Sequence, residues 1–228
     1  MNRDKNIAKS VGWLFIITMV LGMIDAYMVA PILNTPLENI DSNETLVMVG
    51  ASAILLMSIG VVFIAILLYP ILERHNKIIA VTYVSFRVME CLLLTVGVIV
   101  YLLLIILSQQ FIDAGSPSPS YFQTINSLAV EARYSAYHVA MFILGIASLM
   151  LCYLLYRTRL IPRPIAAAGL LGYALVLLSS PLDIFGIIDT TGAGGILYLP
   201  GAIFELFLLP GWLIVKGFNA SPVTAGSL

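Results

Sequence analysis

One apolar run limits what this chain can fold into more than any other feature. It extends from about Ile78 to Leu107 and is broken only by Arg87 and Glu90. A helix needs about 20 apolar residues to cross a bilayer, and this run exceeds that. Arg87 and Glu90 are three residues apart and therefore share one helix face. At about 1.5 Å per residue from Lys77, both fall near the middle of the membrane. Ionised groups at that depth are costly, and they are usually paired, turned inward and functional.

The same pattern recurs along the chain. Apolar segments cover about residues 11–30, 46–69, 78–107, 134–156, 164–182 and 196–215. The 228 residues are 61% hydrophobic and only 10% charged, whereas a soluble domain carries about 25% charged residues. The expected fold class is all-α: a polytopic membrane protein with six transmembrane helices in one bundle, a single domain over residues 1–218. The first segment is too long for the apolar core of a signal peptide and lacks a small-residue cleavage site, so it is expected to remain as a helix.

The loops give an orientation. Arg3, Lys5, Lys9, Arg74, Lys77, Arg157, Arg159, Arg163 and Lys216 lie on one side, nine of the eleven basic residues. Glu38, Asp41, Glu44, Asp113, Glu131 and Asp189 lie on the other, with Arg133 the single base among them. The positive-inside rule then puts both termini in the cytoplasm and the protein in the cytoplasmic (plasma) membrane. Residues 108–133 read as a long extracytoplasmic loop whose second part, from Tyr121, can form a short surface helix. Residues 219–228 read as a disordered tail. The second segment carries no charge and is expected to pack at the periphery.

A net charge of −1 with no basic patch excludes a nucleic-acid partner. Cys91 and Cys152 have no clustered spacing. His75 and His138 fall on opposite sides of the membrane, so no metal is expected, and no cofactor motif is present. What remains is a set of polar residues inside the spans. Tyr83, Arg87 and Glu90 share a face of the third helix, and Glu205 lies near the middle of the sixth. Asp25 sits in the outer third of the first helix, Tyr134 and His138 near the outer end of the fourth, and Asp183 at the end of the fifth. These faces can converge on one cavity with Arg87, Glu90 and Glu205 as its floor. One arginine facing two carboxylates leaves one acid over, which would carry a proton at neutral pH.

Three functions fit these residues. In the first, the cavity binds a small amphipathic or lipid-like ligand, with Glu90 or Glu205 as candidate acid/base and Arg87, Tyr83, Tyr134, His138, Asp25 and Asp183 lining it. The second is a small proton-coupled transporter or channel. The two three-helix halves run in opposite orientation and each third helix carries a glutamate; six helices are few for such a protein unless it forms a homodimer. The third is a non-catalytic structural or partner protein, in which Arg87 simply locks the bundle. In all three the surrounding partner is membrane lipid.

Three stretches carry a family resemblance. They are Tyr69–Asn76 running into Phe86–Glu90, Leu155–Gly169, and Leu199–Glu205 followed by Trp212–Phe218. In order and spacing they resemble the bacterial membrane family catalogued as domain of unknown function 4386, over about Ala8 to Phe218. The resemblance implies six membrane helices and a role for Arg87, Glu90 and Glu205. It implies no activity.

Overall fold

The computed structural model describes residues 2–115, 120–190 and 192–219. Among these there is no strand, and six helical stretches are long and apolar enough to cross a membrane. The chain is an all-α, multi-pass membrane protein. The first stretch is α1 (Asn2–Ile24), a π-helical turn (Asp25–Val29) and α2 (Ala30–Leu33); α3 (Leu37–Ser42) is a short connector. The next four are α4 (Glu44–Leu72), α5 (Lys77–Asp113), α6 (Ser120–Thr158) and α7 (Arg163–Ile184). The last comprises a 3-10 turn (Ala193–Tyr198), α8 (Leu199–Ile203), a second π turn (Phe204–Leu208) and α9 (Leu209–Val215).

The helices form a closed ring in chain order. α1 packs on α4, α4 on α5, α5 on α6, α6 on α7 and α7 on α8, while α9 returns to α1. The second span is therefore not peripheral, as its lack of charge suggested. Small residues seat it: Gly50 lies against Val29, Gly60 against Thr18, and Ala51, Ala53 and Ala65 are buried. In a bilayer the helix interface is made by such close approach, and charge is not needed for it.

The expected loop at 108–133 is also corrected. α5 runs on to Asp113 and α6 starts at Ser120. At about 1.5 Å per residue these helices are roughly 55 Å long, well beyond a hydrocarbon core of about 30 Å. Their ends pack on each other, with Phe111 and Phe122 edge-to-face at 5.4 Å. Polar residues there mark where the helices leave the apolar layer, not where they stop. The expected tail lies beyond Asn219, outside the described residues.

Local chemistry sets the ends. The Asn76 side chain caps α5 by accepting from the Ile79 N–H at 3.0 Å. Pro162 and Pro164 frame the start of α7. At the face carrying the chain ends, Arg74 holds Asp4 through two bonds of 2.7 and 3.2 Å. Asn219 bonds the carbonyls of Leu160 and Arg159.

α7 and α8 touch backbone to backbone at Gly172. A Cβ there would stand 2.7 Å from the Gly201 nitrogen and 2.8 Å from its Cα. Because backbone cannot rotate away, Gly172→Ala is expected to lower stability by about 1–3 kcal/mol, the cost of overpacking. Thermal unfolding in detergent against the parent measures it, and an unchanged midpoint would rule this close packing out.

Candidate functional site

The two π turns share a cause in the sequence. Each ends two residues before a proline, Val29 before Pro31 and Leu208 before Pro210. Proline has no N–H and its ring pushes away the carbonyl four residues back, so the preceding turn widens. The Ala30 N–H accordingly reaches the Asp25 carbonyl and the Leu209 N–H that of Phe204, each five residues back. Asp25 opens one widened turn and Glu205 lies in the other. Such turns are frequent at functional sites.

The sequence grouped eight polar residues around one cavity; the structure distributes them over three groups. The central one holds four of them. Arg87 Nη1 donates to Glu90 Oε2 at 2.7 Å, and Nη2 lies 3.6 Å from Glu205 Oε1. Arg87 Nε donates to the Tyr83 hydroxyl at 3.2 Å. Arg87 and Glu90 are each only 2% exposed, whereas the Glu205 side chain is 15% exposed. The Tyr173 hydroxyl donates to the same Glu205 oxygen that faces Arg87. Tyr173 comes from α7, so α5, α7 and the last span meet on one guanidinium. Tyr173 escaped sequence reasoning because one tyrosine in an apolar helix reads as packing; its place seven residues before Ser180, on the small-residue face of α7, is the signal that was there.

A second group surrounds Asp25. Arg133 Nη2 donates to Asp25 Oδ2 at 2.6 Å, and the Tyr101 hydroxyl donates to Oδ1. The guanidinium lies over the Tyr101 ring at 4.9 Å and over the Tyr134 ring at 5.2 Å. Tyr134 also receives a bond from Asn34 at 3.2 Å. Arg133, read from the sequence as a loop charge, is buried. A guanidinium moved out of water must be paired, and Asp25 pairs it across 108 positions of sequence.

The third group is His138 and Asp183. His138 Nε2 stands 3.2 Å from Asp183 Oδ1. The other Asp183 oxygen accepts from the Thr190 N–H at 2.5 Å. The Tyr137 ring, beside His138, meets the imidazole edge-to-face at 5.8 Å.

Chemically, the central group differs from the other two in its charge balance. It sets one permanent cation against two carboxylates, while Arg133 and Asp25 balance each other. In a low-dielectric interior a lone negative charge is expensive, so charge balance is met most cheaply by a proton on one acid. No curated protein and no solved structure matches the chain. The model for the family described as Domain of unknown function (DUF4386) matches residues 10–217, nearly the whole length, and the chain belongs to that family.

Proposed function

We propose that this membrane protein binds a small amphipathic, lipid-like molecule at the Arg87 group, with Glu205 as the proton-exchanging acid/base. In this reading Arg87 and Glu90 form the fixed pair, and Glu205 is the carboxyl available to a ligand. One observation carries it: Glu205 is held at 3.6 Å from Arg87 against 2.7 Å for Glu90, and is the more exposed of the two acids. Its place in a widened turn adds support, because such a turn can shift register without unwinding the helix. The loop charges support an orientation with both chain ends in the cytoplasm.

Dicyclohexylcarbodiimide tests the proton directly, since it modifies carboxyls that carry a proton in apolar surroundings. In nanodiscs, peptide mass spectrometry is expected to find the adduct on Glu205 and not on Glu90. The charge-sharing argument adds a sharper outcome. In Glu90→Gln, Glu205 must stay ionised to balance Arg87, so its labelling is expected to drop several-fold although Glu205 is untouched. Labelling of neither acid, or of Glu205 unchanged in Glu90→Gln, would sink the reading. Native mass spectrometry supplies the ligand half: a co-purified lipid-like mass is expected with the parent and lost from Glu205→Gln.

A proton-coupled transporter uses the same site. What favours it is that the third and sixth spans each bring one glutamate to a single guanidinium. Proton flux into proteoliposomes under a pH gradient, abolished by Glu205→Gln, separates transport from binding.

A further inference from the structure

The face that carries the chain ends holds a cationic cluster that neither the Arg87 group nor the Asp25 clamp uses. Arg157, Arg159 and Arg163 fall within seven residues at the turn from α6 to α7, and all three are exposed. No carboxylate pairs with any of them among the described residues. The acids of this face are engaged elsewhere, Asp4 with Arg74 and Glu73 with the Tyr69 hydroxyl.

Two of the three arginines stand where the backbone disfavours them. Arg159 follows the end of α6 with φ +56°, the one positive φ outside glycine among the described residues. Glycine usually takes that place after a helix, because a Cβ is crowded there. The turn is pinned in this shape, since Asn219 donates to the carbonyls of Arg159 and Leu160, each at 2.8 Å. Arg163 opens α7, whose first turn carries positive partial charge and has no side-chain cap. Residues kept at a backbone cost point to a use for their side chains, and what these two share is charge.

Their depth names the partner. Helix side chains lean toward the N-terminus, which in α6 is back along the span. Arg157 accordingly lies over the Tyr153 ring at 5.8 Å, and its Nη1 donates to the Tyr153 hydroxyl at 3.2 Å. Arg163 lies over the Tyr156 ring at 5.3 Å. Tyr153 and Tyr156 are three apart and neighbours on the helix surface, so the two guanidinia rest on adjacent rings. Tyr153 is 47% exposed near the end of an apolar span, where tyrosines sit at the level of lipid headgroups. A guanidinium there meets phosphate oxygens with a matching fork of N–H donors.

We propose that Arg157 and Arg163, with Arg159 between them, bind the phosphate of an anionic phospholipid. The site is separate from the Arg87 group and does not depend on a proton at Glu205.

Native mass spectrometry of delipidated protein, titrated with phosphatidylglycerol or phosphatidylcholine of the same acyl chains, tests it. The parent is expected to hold the first phosphatidylglycerol more tightly than phosphatidylcholine, whose ammonium cancels the phosphate charge. Arg157→Gln with Arg163→Gln is expected to weaken phosphatidylglycerol about 25-fold, about five-fold for each guanidinium. Arg3→Gln with Lys9→Gln removes as much charge from the same face, but on α1, which packs on α4 and α9. Screening beyond about 8 Å limits its effect to less than about three-fold. Arg159→Gly relaxes the backbone, so it is expected to raise the unfolding midpoint while weakening phosphatidylglycerol. If the Arg157 and Arg163 double variant does not fold, the parent's preference and Arg159→Gly decide. Equal weakening by the two double variants would mean diffuse surface charge and overturn the site, as would a parent with no preference for phosphatidylglycerol. Free glycerol phosphate that displaces the lipid at equal concentration overturns the lipid assignment.

Discussion

Replacing Glu90 and Glu205 together by Gln is expected to destabilise the purified protein by at least about 3–5 kcal/mol, the cost of stranding a buried charge. The reason is an asymmetry between acids and arginine. A carboxyl in an apolar interior can take up a proton and become neutral, whereas a guanidinium has no accessible neutral form. Arg87 therefore needs one carboxylate, and either acid can serve. With Glu205→Gln alone the 2.7 Å pair to Glu90 is intact, and the expected loss is about 1 kcal/mol, one hydrogen bond. With Glu90→Gln alone, the balancing charge moves to Glu205 at 3.6 Å, a poorer geometry, at an expected cost of about 1–3 kcal/mol. The double variant should exceed the sum of the singles by at least about 1 kcal/mol, within the range measured for residues that share a partner. Unfolding of all four proteins in one detergent gives the cycle. Additive losses would mean that the two acids act independently, which would remove the ground for a proton shared between them.

Much of this architecture was legible because the signals are local. Hydropathy marks six spans, and a spacing of three puts Arg87 and Glu90 on one face whatever surrounds the helix. Glu205 was found by its depth. The missing features depend on what meets across the ring. Nothing near Arg133 in sequence indicates Asp25, and its own polar surroundings suggested a loop, because helix ends that leave the bilayer look like loops to hydropathy. The second span was placed outside for want of charge, although Gly50 and Gly60 already carried the signature of close packing. The widened turns were within reach as well. Pro31 and Pro210 stand six and five residues after Asp25 and Glu205, and a proline at that spacing is the local signal.

The proline-linked turns connect these elements to the buried polar groups. A regular helix offers no free backbone groups at mid-membrane, so polar chemistry there depends on side chains or on a defect. Here the first and last spans, neighbours through α1 and α9, each carry such a defect beside an acid. One acid is closed into a neutral pair with Arg133; the other remains in excess at Arg87. The same local device thus stands beside a charge-balanced pair in the first span and beside the surplus carboxyl in the last.

The clamp makes the opposite prediction to the central group. Among the described residues Asp25 is the carboxylate paired with Arg133, and the rings of Tyr101 and Tyr134 flank that guanidinium. Asp25→Asn should therefore strand the arginine and cost about 3–5 kcal/mol. Arg133→Met leaves an acid that can neutralise itself by taking a proton, and should cost less, about 1–3 kcal/mol for the lost bonds. Combining the two removes both charges and fills the space with apolar atoms, so Asp25→Asn with Arg133→Met is expected to recover at least about 1 kcal/mol relative to Asp25→Asn alone. At Arg87 the second substitution worsens the first; at Arg133 it repairs it. The contrast follows from what the second substitution removes, the last carboxylate at Arg87 and the cation itself at Arg133, since burial and distances are alike in the two pairs. If the Asp25 cycle shows no recovery, the pair is held by more than its charges, and the Tyr101 hydroxyl on Asp25 becomes the group to remove next.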